Sequence, residues 1–462
     1  MLGGQKGPAA EAIKPEQSPD LSLPLRYMIA ALVAFVLFAT AAPLLAPYFL
    51  RTYDDPHVFA LVHLAVLGWI TMIMMGALYQ LFPVALQAEI RSVRLGKWNF
   101  WLFAGGVAGF APSFYVWWTP GIALFGTCAV AGVIHFVSNM FRSYPSVKSW
   151  NAMAYYVLCA LGWLTLTVLL GFVYALDQVF GWFDITPNIL AAHAHLGLAG
   201  WFSLTLMGVS YKLMAMFSLA HGHDETLAKR NLALWNIGLL GLILSLVFAA
   251  GSVFVTIFAA VLDLSATIFV ADMLILFRRR RRRGVSLEQW HAFISFAAFL
   301  AAADMGVLLV AGHPLTPTWI VAYGYVALVG WFGFSIVGKY YKIIPFLLWV
   351  HRYSKQIGSR PVPLLRDMMD ERLGYASLVA LFAGFLVVLA GILAGSLVTV
   401  RVGGAVFALG SYLFAYNIWT VFGDKSPTRR ETGDRPRPLL PHLKARLANR
   451  PNPAEGPLPE AP

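Results

Sequence analysis

Three stretches of this chain share one pattern, about 130 residues apart: HLAVLGWITMIMMGALYQLFP from His63, HLGLAGWFSLTLMGVSYKLMA from His195 and YVALVGWFGFSIVGKYYKIIP from Tyr325. Counted from the first letter, Gly falls at +5 (Gly68, Gly200, Gly330) and Trp at +6 (Trp69, Trp201, Trp331). Gly recurs at +13 (Gly76, Gly208, Gly338) and Tyr at +16 (Tyr79, Tyr211, Tyr341). A gapless motif at this spacing means one structural unit used three times. The first letter varies, His then His then Tyr, so a shared frame carries different chemistry in each copy.

Each copy lies within a long apolar segment. Apolar residues make up 59% of the chain and charged residues 12%, against ~45–50% and ~25% in soluble domains. Runs of about twenty uncharged residues recur, enough to cross a bilayer as a helix. The expected fold is all-α: a polytopic membrane protein of twelve transmembrane helices, the first at 27–49 and the last at 400–422. Three four-helix repeats (about 25–145, 146–280 and 281–423) form one membrane domain over 25–423, with the motif on the second helix of each repeat. Residues 1–24 and 424–462 are Pro-rich and charged and read as disordered cytoplasmic tails, with no cleavable signal ahead of the first span.

Lys and Arg concentrate in the loops after spans 2, 4, 6, 8 and 10, including the run Arg278–Arg283. This bias places both termini in the cytoplasm of a bacterial inner membrane and explains much of the net charge of +12. The Arg run sits between two spans and is read as an anchor to anionic lipid of the bilayer, not as a nucleic-acid site. The two cysteines, Cys128 and Cys159, are isolated in apolar spans. No CxxCH is present for covalent haem and no cysteine pair for a dinuclear copper centre, so electrons would come from another subunit or a carrier cytochrome.

Spans 2, 6 and 10 run from the outer face inward. His57 and His63 on span 2, and His193 and His195 on span 6, therefore share one outer level. Imidazoles at one depth in a helical bundle suit haem iron, copper or another metal. His193 and His195 differ by ~200° around a helix and face two different compartments. His63, His193 and His195 are the candidate cofactor ligands, with His57 a further metal candidate. A bonded structural histidine is the alternative for each. His135 reads as structural, and His221, His223, His291, His313, His351 and His442 as solvated loop, tail or span-end residues. Asp263 and Asp304 near mid-membrane suit a proton path, or equally a helix-to-helix hydrogen bond. Asp272 is placed to reach the Arg run, and Lys339 and Lys342 to pair with an aspartate or snorkel outward. The repeated Gly, Trp and Tyr read as packing residues.

At His193-Ala194-His195 followed by Gly200-Trp201, Gly208 and Tyr211, the sequence resembles the haem-copper oxidase superfamily, in particular C-type cytochrome oxidases and nitric oxide reductases. The resemblance implies twelve helices in three pseudo-symmetric arcs of four, a b-type haem, oxidoreductase activity and an electron-donor subunit. It also implies more histidines than the chain has. Span 10 offers Tyr323 and Tyr325, and span 7 has no His pair for copper or non-haem iron. A complete oxygen-reducing centre is not expected, and whether the chain is an enzyme stays open. The remaining inventory would clamp one haem between spans 2 and 6, in respiratory or nitric-oxide-related redox metabolism. The competing readings are a membrane protein handling copper or another divalent metal, and a cofactor-free transporter or assembly factor on an oxidase-like scaffold.

Overall fold

Asp55, Thr186 and Thr316 hold extended backbone, and each side chain accepts from a backbone N–H of the next turn. Pro56, Pro187 and Pro317 follow them. A capping oxygen followed by proline starts a helix, because proline lacks only an N–H that has no intrahelical partner there. All three motif helices begin in this way, eight or nine residues before His63, His195 and Tyr325.

The structure, a computed structural model, describes residues 20–218, 224–280, 284–312, 316–357 and 361–425. Its long helices are α1 (Ser22–Leu44), α2 (Pro56–Leu86), α3 (Val93–Tyr115), α4 (Thr119–Ser143), α5 (Ala152–Phe180) and α6 (Pro187–Met216). They continue with α7 (Thr226–Val247), α8 (Ser252–Arg278), α9 (Leu287–Val310), α10 (Pro317–Gln356), α11 (Glu371–Leu393) and α12 (Leu397–Thr420). Eleven are long and apolar enough to span a bilayer; α3, interrupted by Trp, Asn and Gly, has 23 residues but is less apolar. The all-helical, multi-pass fold expected from the sequence is the fold observed. α1 begins at Ser22, earlier than apolarity alone suggests, because Asp20 binds Ser22 through its backbone N (3.0 Å) and hydroxyl (2.7 Å). Most of both terminal tails, with His221, His223, His313, His442 and part of the Arg run, lies outside the described residues.

The motif glycines set the packing within each arc of four helices. A Cβ on Gly68, Gly200 or Gly330 would lie 3.2, 2.7 or 2.6 Å from the Cβ of Ala34, Trp163 or Ala298 on the first helix of the same arc. At +13 the same test on Gly76, Gly208 and Gly338 meets the Cβ of Tyr27, Tyr156 and His291 at 2.7, 2.6 and 2.7 Å. Both glycines thus hold the motif helix against the helix that opens its arc.

The tryptophans lock the arcs to one another. Trp69, Trp201 and Trp331 are among the largest fully buried side chains. Trp331 donates to Ser203 Oγ on α6 (3.2 Å), and a Cβ on Gly333 of α10 would lie 3.2 Å from Trp69 Cη2. Near the basic-loop end, Ala77, Val209 and Lys339, all at +14, line one small central cavity of about 30 Å³ with Met74, Leu206 and Ile336.

The motif helices depart in one respect from the regular helix that the periodicity suggests. Immediately after His63, His195 and Tyr325, each widens into an eight-residue π segment: Leu64–Thr71, Leu196–Ser203 and Val326–Gly333. The wider turn frees carbonyls for side chains, as Ala199 O takes Trp235 Nε1 (2.9 Å) and Leu198 O takes Ser203 Oγ (2.8 Å). π segments inside α-helices concentrate at functional sites.

Candidate functional site

The residues just ahead of the π segments have regular α-geometry, so the ~200° between His193 and His195 holds. Their neighbours differ accordingly. His193 packs on α5, beside Gly171 and Tyr174, within electrostatic range of His63 on α2. His195 points toward the third arc, where its Nε2 is 3.1 Å from the Tyr323 hydroxyl.

The surroundings of the first pair are apolar. His63 Nδ1 is 2.8 Å from Phe59 O. A carbonyl can only accept, so Nδ1 carries the proton and Nε2 keeps a lone pair. The His63 ring stacks on Phe114 at 4.9 Å and meets the edge of Phe110 at 5.3 Å. His193 lies beside the Thr167 backbone, and its Nδ1 is buried with no hydrogen-bond partner. A Cβ on Gly171 would lie 2.8 Å from His193 Cε1, so this glycine leaves room for the ring. Leu67, Phe110, Phe114, Ile122, Phe125 and Ala175 pack together beside the pair.

His57 belongs to a different cluster, at the rim. Its Nδ1 and backbone N are 2.8 and 2.9 Å from Asp55 Oδ1, and its ring stacks on Tyr48 at 3.8 Å. Arg51 Nη2 takes the other Asp55 oxygen at 2.5 Å. Burial pushes the Asp55 carboxyl up, but the bonds from His57 and Arg51 outweigh it and hold the group below its ordinary value. In the third copy, Tyr325 stacks on Phe385 of α11 at 5.3 Å.

Asp263 and Asp304 face each other across α8 and α9, with Asp263 Oδ1 buried without a hydrogen bond and Asp304 exposed. Neither is joined to the histidines by a hydrogen bond among the described residues. Lys339 pairs with neither aspartate: its Nζ bonds Ser335 Oγ at 2.7 Å and faces Glu288. Asp272 is buried beside Tyr211, and half of the Arg run lies outside the described residues. His291, expected in solvent at a span end, is 0% exposed, because α9 packs it against Gly338. Glu288, one turn earlier, is also buried. The E-x-x-H spacing of these two on one helix face is a readable signal, and so are the Asp-Pro and Thr-Pro helix starts.

Among the described residues no three His, Cys, Asp or Glu side chains converge as a set able to hold a bare metal ion. Imidazoles in apolar surroundings, one with a bare ring nitrogen, instead suit an iron that brings further ligands of its own, as haem does. No protein-family model matches this sequence. No curated protein matches it. Among solved structures, the chain is similar to a haem-copper terminal oxidase dimer solved by cryo-EM, with a TM-score of 0.65 and 11% identity over 92% of this chain and 88% of that one. The likeness is one of fold: this chain has the all-helical membrane fold of a haem-copper oxidase.

Proposed function

We propose that this chain is a haem-binding, oxidase-like membrane protein that holds iron between His63 on α2 and His193 on α6. The reading is supported by one observation: His193, within electrostatic range of His63, keeps a buried ring nitrogen with no hydrogen-bond partner. A b-type haem held by these two residues would supply electron transfer or bind a gas such as NO or O₂. Around it the Phe59 carbonyl orients His63, the Thr167 backbone orients His193, and Phe110 and Phe114 exclude water. This fits a role in respiratory or nitric-oxide-related redox metabolism, with electrons supplied by a partner subunit or cytochrome. His195 stands apart from the iron because Tyr323 engages its Nε2.

The optical spectrum of protein made with ample haem tests this. A Soret band lost in His63→Ala and in His193→Ala, but kept in His195→Ala, is expected. Colourless, iron-free protein would sink the reading, and copper or zinc without porphyrin would select the metal-handling alternative.

A further inference from the structure

At the basic-loop end, each arc buries one polar set around its motif tyrosine. In the first arc Tyr27 donates to Gly96 O (2.9 Å) and contacts Asn99, and Asn139 reaches Tyr79 (3.4 Å). In the second, Tyr156 donates to Ala228 O (2.9 Å), Asn231 pairs with Ser265 (2.7 Å) and Asp272 with Tyr211. In the third, Tyr341 stands near Ser377 and Asn417, and Ser377 donates to Gly410 O at 2.9 Å. The glycine contacts identify the odd member. Tyr27 and Tyr156 face Gly76 and Gly208, whereas the residue facing Gly338 is His291.

The exchange replaces a hydroxyl donor by a group that accepts. His291 Nδ1 is 2.9 Å from Leu287 O and so carries the ring proton, leaving Nε2 a lone pair. That Nε2 is buried with no hydrogen-bond partner, in a residue that is 0% exposed. Glu288, at 7% exposure, buries Oε2 with no partner either. Two bare acceptors a turn apart are costly in an apolar interior, and one added proton would satisfy the imidazole. A divalent cation is disfavoured, since Lys339 and Lys342 of α10 both face Glu288. The other titratable group facing His291 is Tyr341, its ring 5.7 Å away; α11 and α12 contribute Ser377 and Asn417, which do not ionise.

We propose that Glu288 and His291 form a buried proton-binding site in the third arc, reached from the basic-loop side through the first turn of α9. Glu288 stands two residues after the Ser286 cap of that helix, so a proton entering there has one helical turn to travel to His291. The first and second arcs have a neutral phenol at the His291 position and no such pair.

The site can be read without any cofactor, by nitrogen NMR of protein labelled at histidine and embedded in lipid. His291→Tyr, which restores the residue of the other two arcs, assigns the His291 ring. That ring is expected to gain a proton reversibly as the pH is lowered while the protein stays folded. Glu288→Gln is expected to move the midpoint down by about one pH unit, and Lys339→Met to move it up. A ring that stays neutral down to the pH at which the fold is lost, or a midpoint unmoved by Glu288→Gln, overturns the proposal. Should His291→Tyr fail to fold, Glu288→Gln retains all the histidines and identifies the ring by its shift. A missing Soret band would leave this result untouched.

Discussion

His195 and Tyr323 close the second histidine position without a metal: Nε2 and the phenol oxygen are 3.1 Å apart, and the ring planes are inclined by 25°. Because His195 Nδ1 already serves Ala191 O (2.8 Å), the phenol must be the donor. Tyr323→Phe is therefore expected to cost about 1 kcal/mol, seen as a lower unfolding midpoint in detergent, while any haem spectrum stays unchanged. A large spectral change in this variant would show His195 to be an iron ligand.

Replacing His63 by glycine empties a place beside Phe110 and Phe114. If His63 is an axial ligand, free imidazole at millimolar concentration is expected to restore the low-spin spectrum of His63→Gly. It is expected to have no such effect on His57→Gly, because the His57 ring is bound to Asp55 at the rim.

The motif glycines give a stability test with internal controls. Gly200→Ala and Gly338→Ala place a Cβ 2.7 Å from another Cβ and are expected to destabilise by about 1–3 kcal/mol. Gly105 and Gly162 meet nothing within 4 Å, so their alanine variants are expected to be neutral or slightly stabilising. Equal losses at all four sites would contradict the close approach.

The rim carboxylate predicts an acid dependence. The Asp55 carboxyl lies below its ordinary value of 3.8, so it supports the fold above that pH and loses this contribution as pH falls through its lower folded value. Asp55→Asn keeps a capping oxygen but not the charge. The stability gap between the two proteins is expected to be constant at neutral pH and to close in acid; a gap that widens in acid would reverse the sign.

The architecture is legible in the sequence because lipid restricts the choices: long uncharged segments must be helices, and a gapless repeat must occupy equivalent places. The opposite facings of His193 and His195 are also legible, since both precede the π segment. The widened turns themselves are not, because a local widening of the helix leaves no mark in the order of apolar residues. His291 is hidden for a related reason. Its place near a helix end suggests water, but Gly338, 47 positions later, brings α10 against it. Lys339 likewise reads toward distant aspartates, whereas Glu288 stands beside it. The proposed pairing of His63 with His193 needs the helices in space, although the count of histidines already points to spans 2 and 6.

The three π segments also share one register. Each begins one residue after the first letter of its motif copy and runs for eight residues. The letter ahead of them is His or Tyr and their last letter is Thr, Ser or Gly, yet the widened turn keeps its place. No single side chain at either end therefore sets it, and the chemistry at the first letter can change while the backbone beneath stays the same.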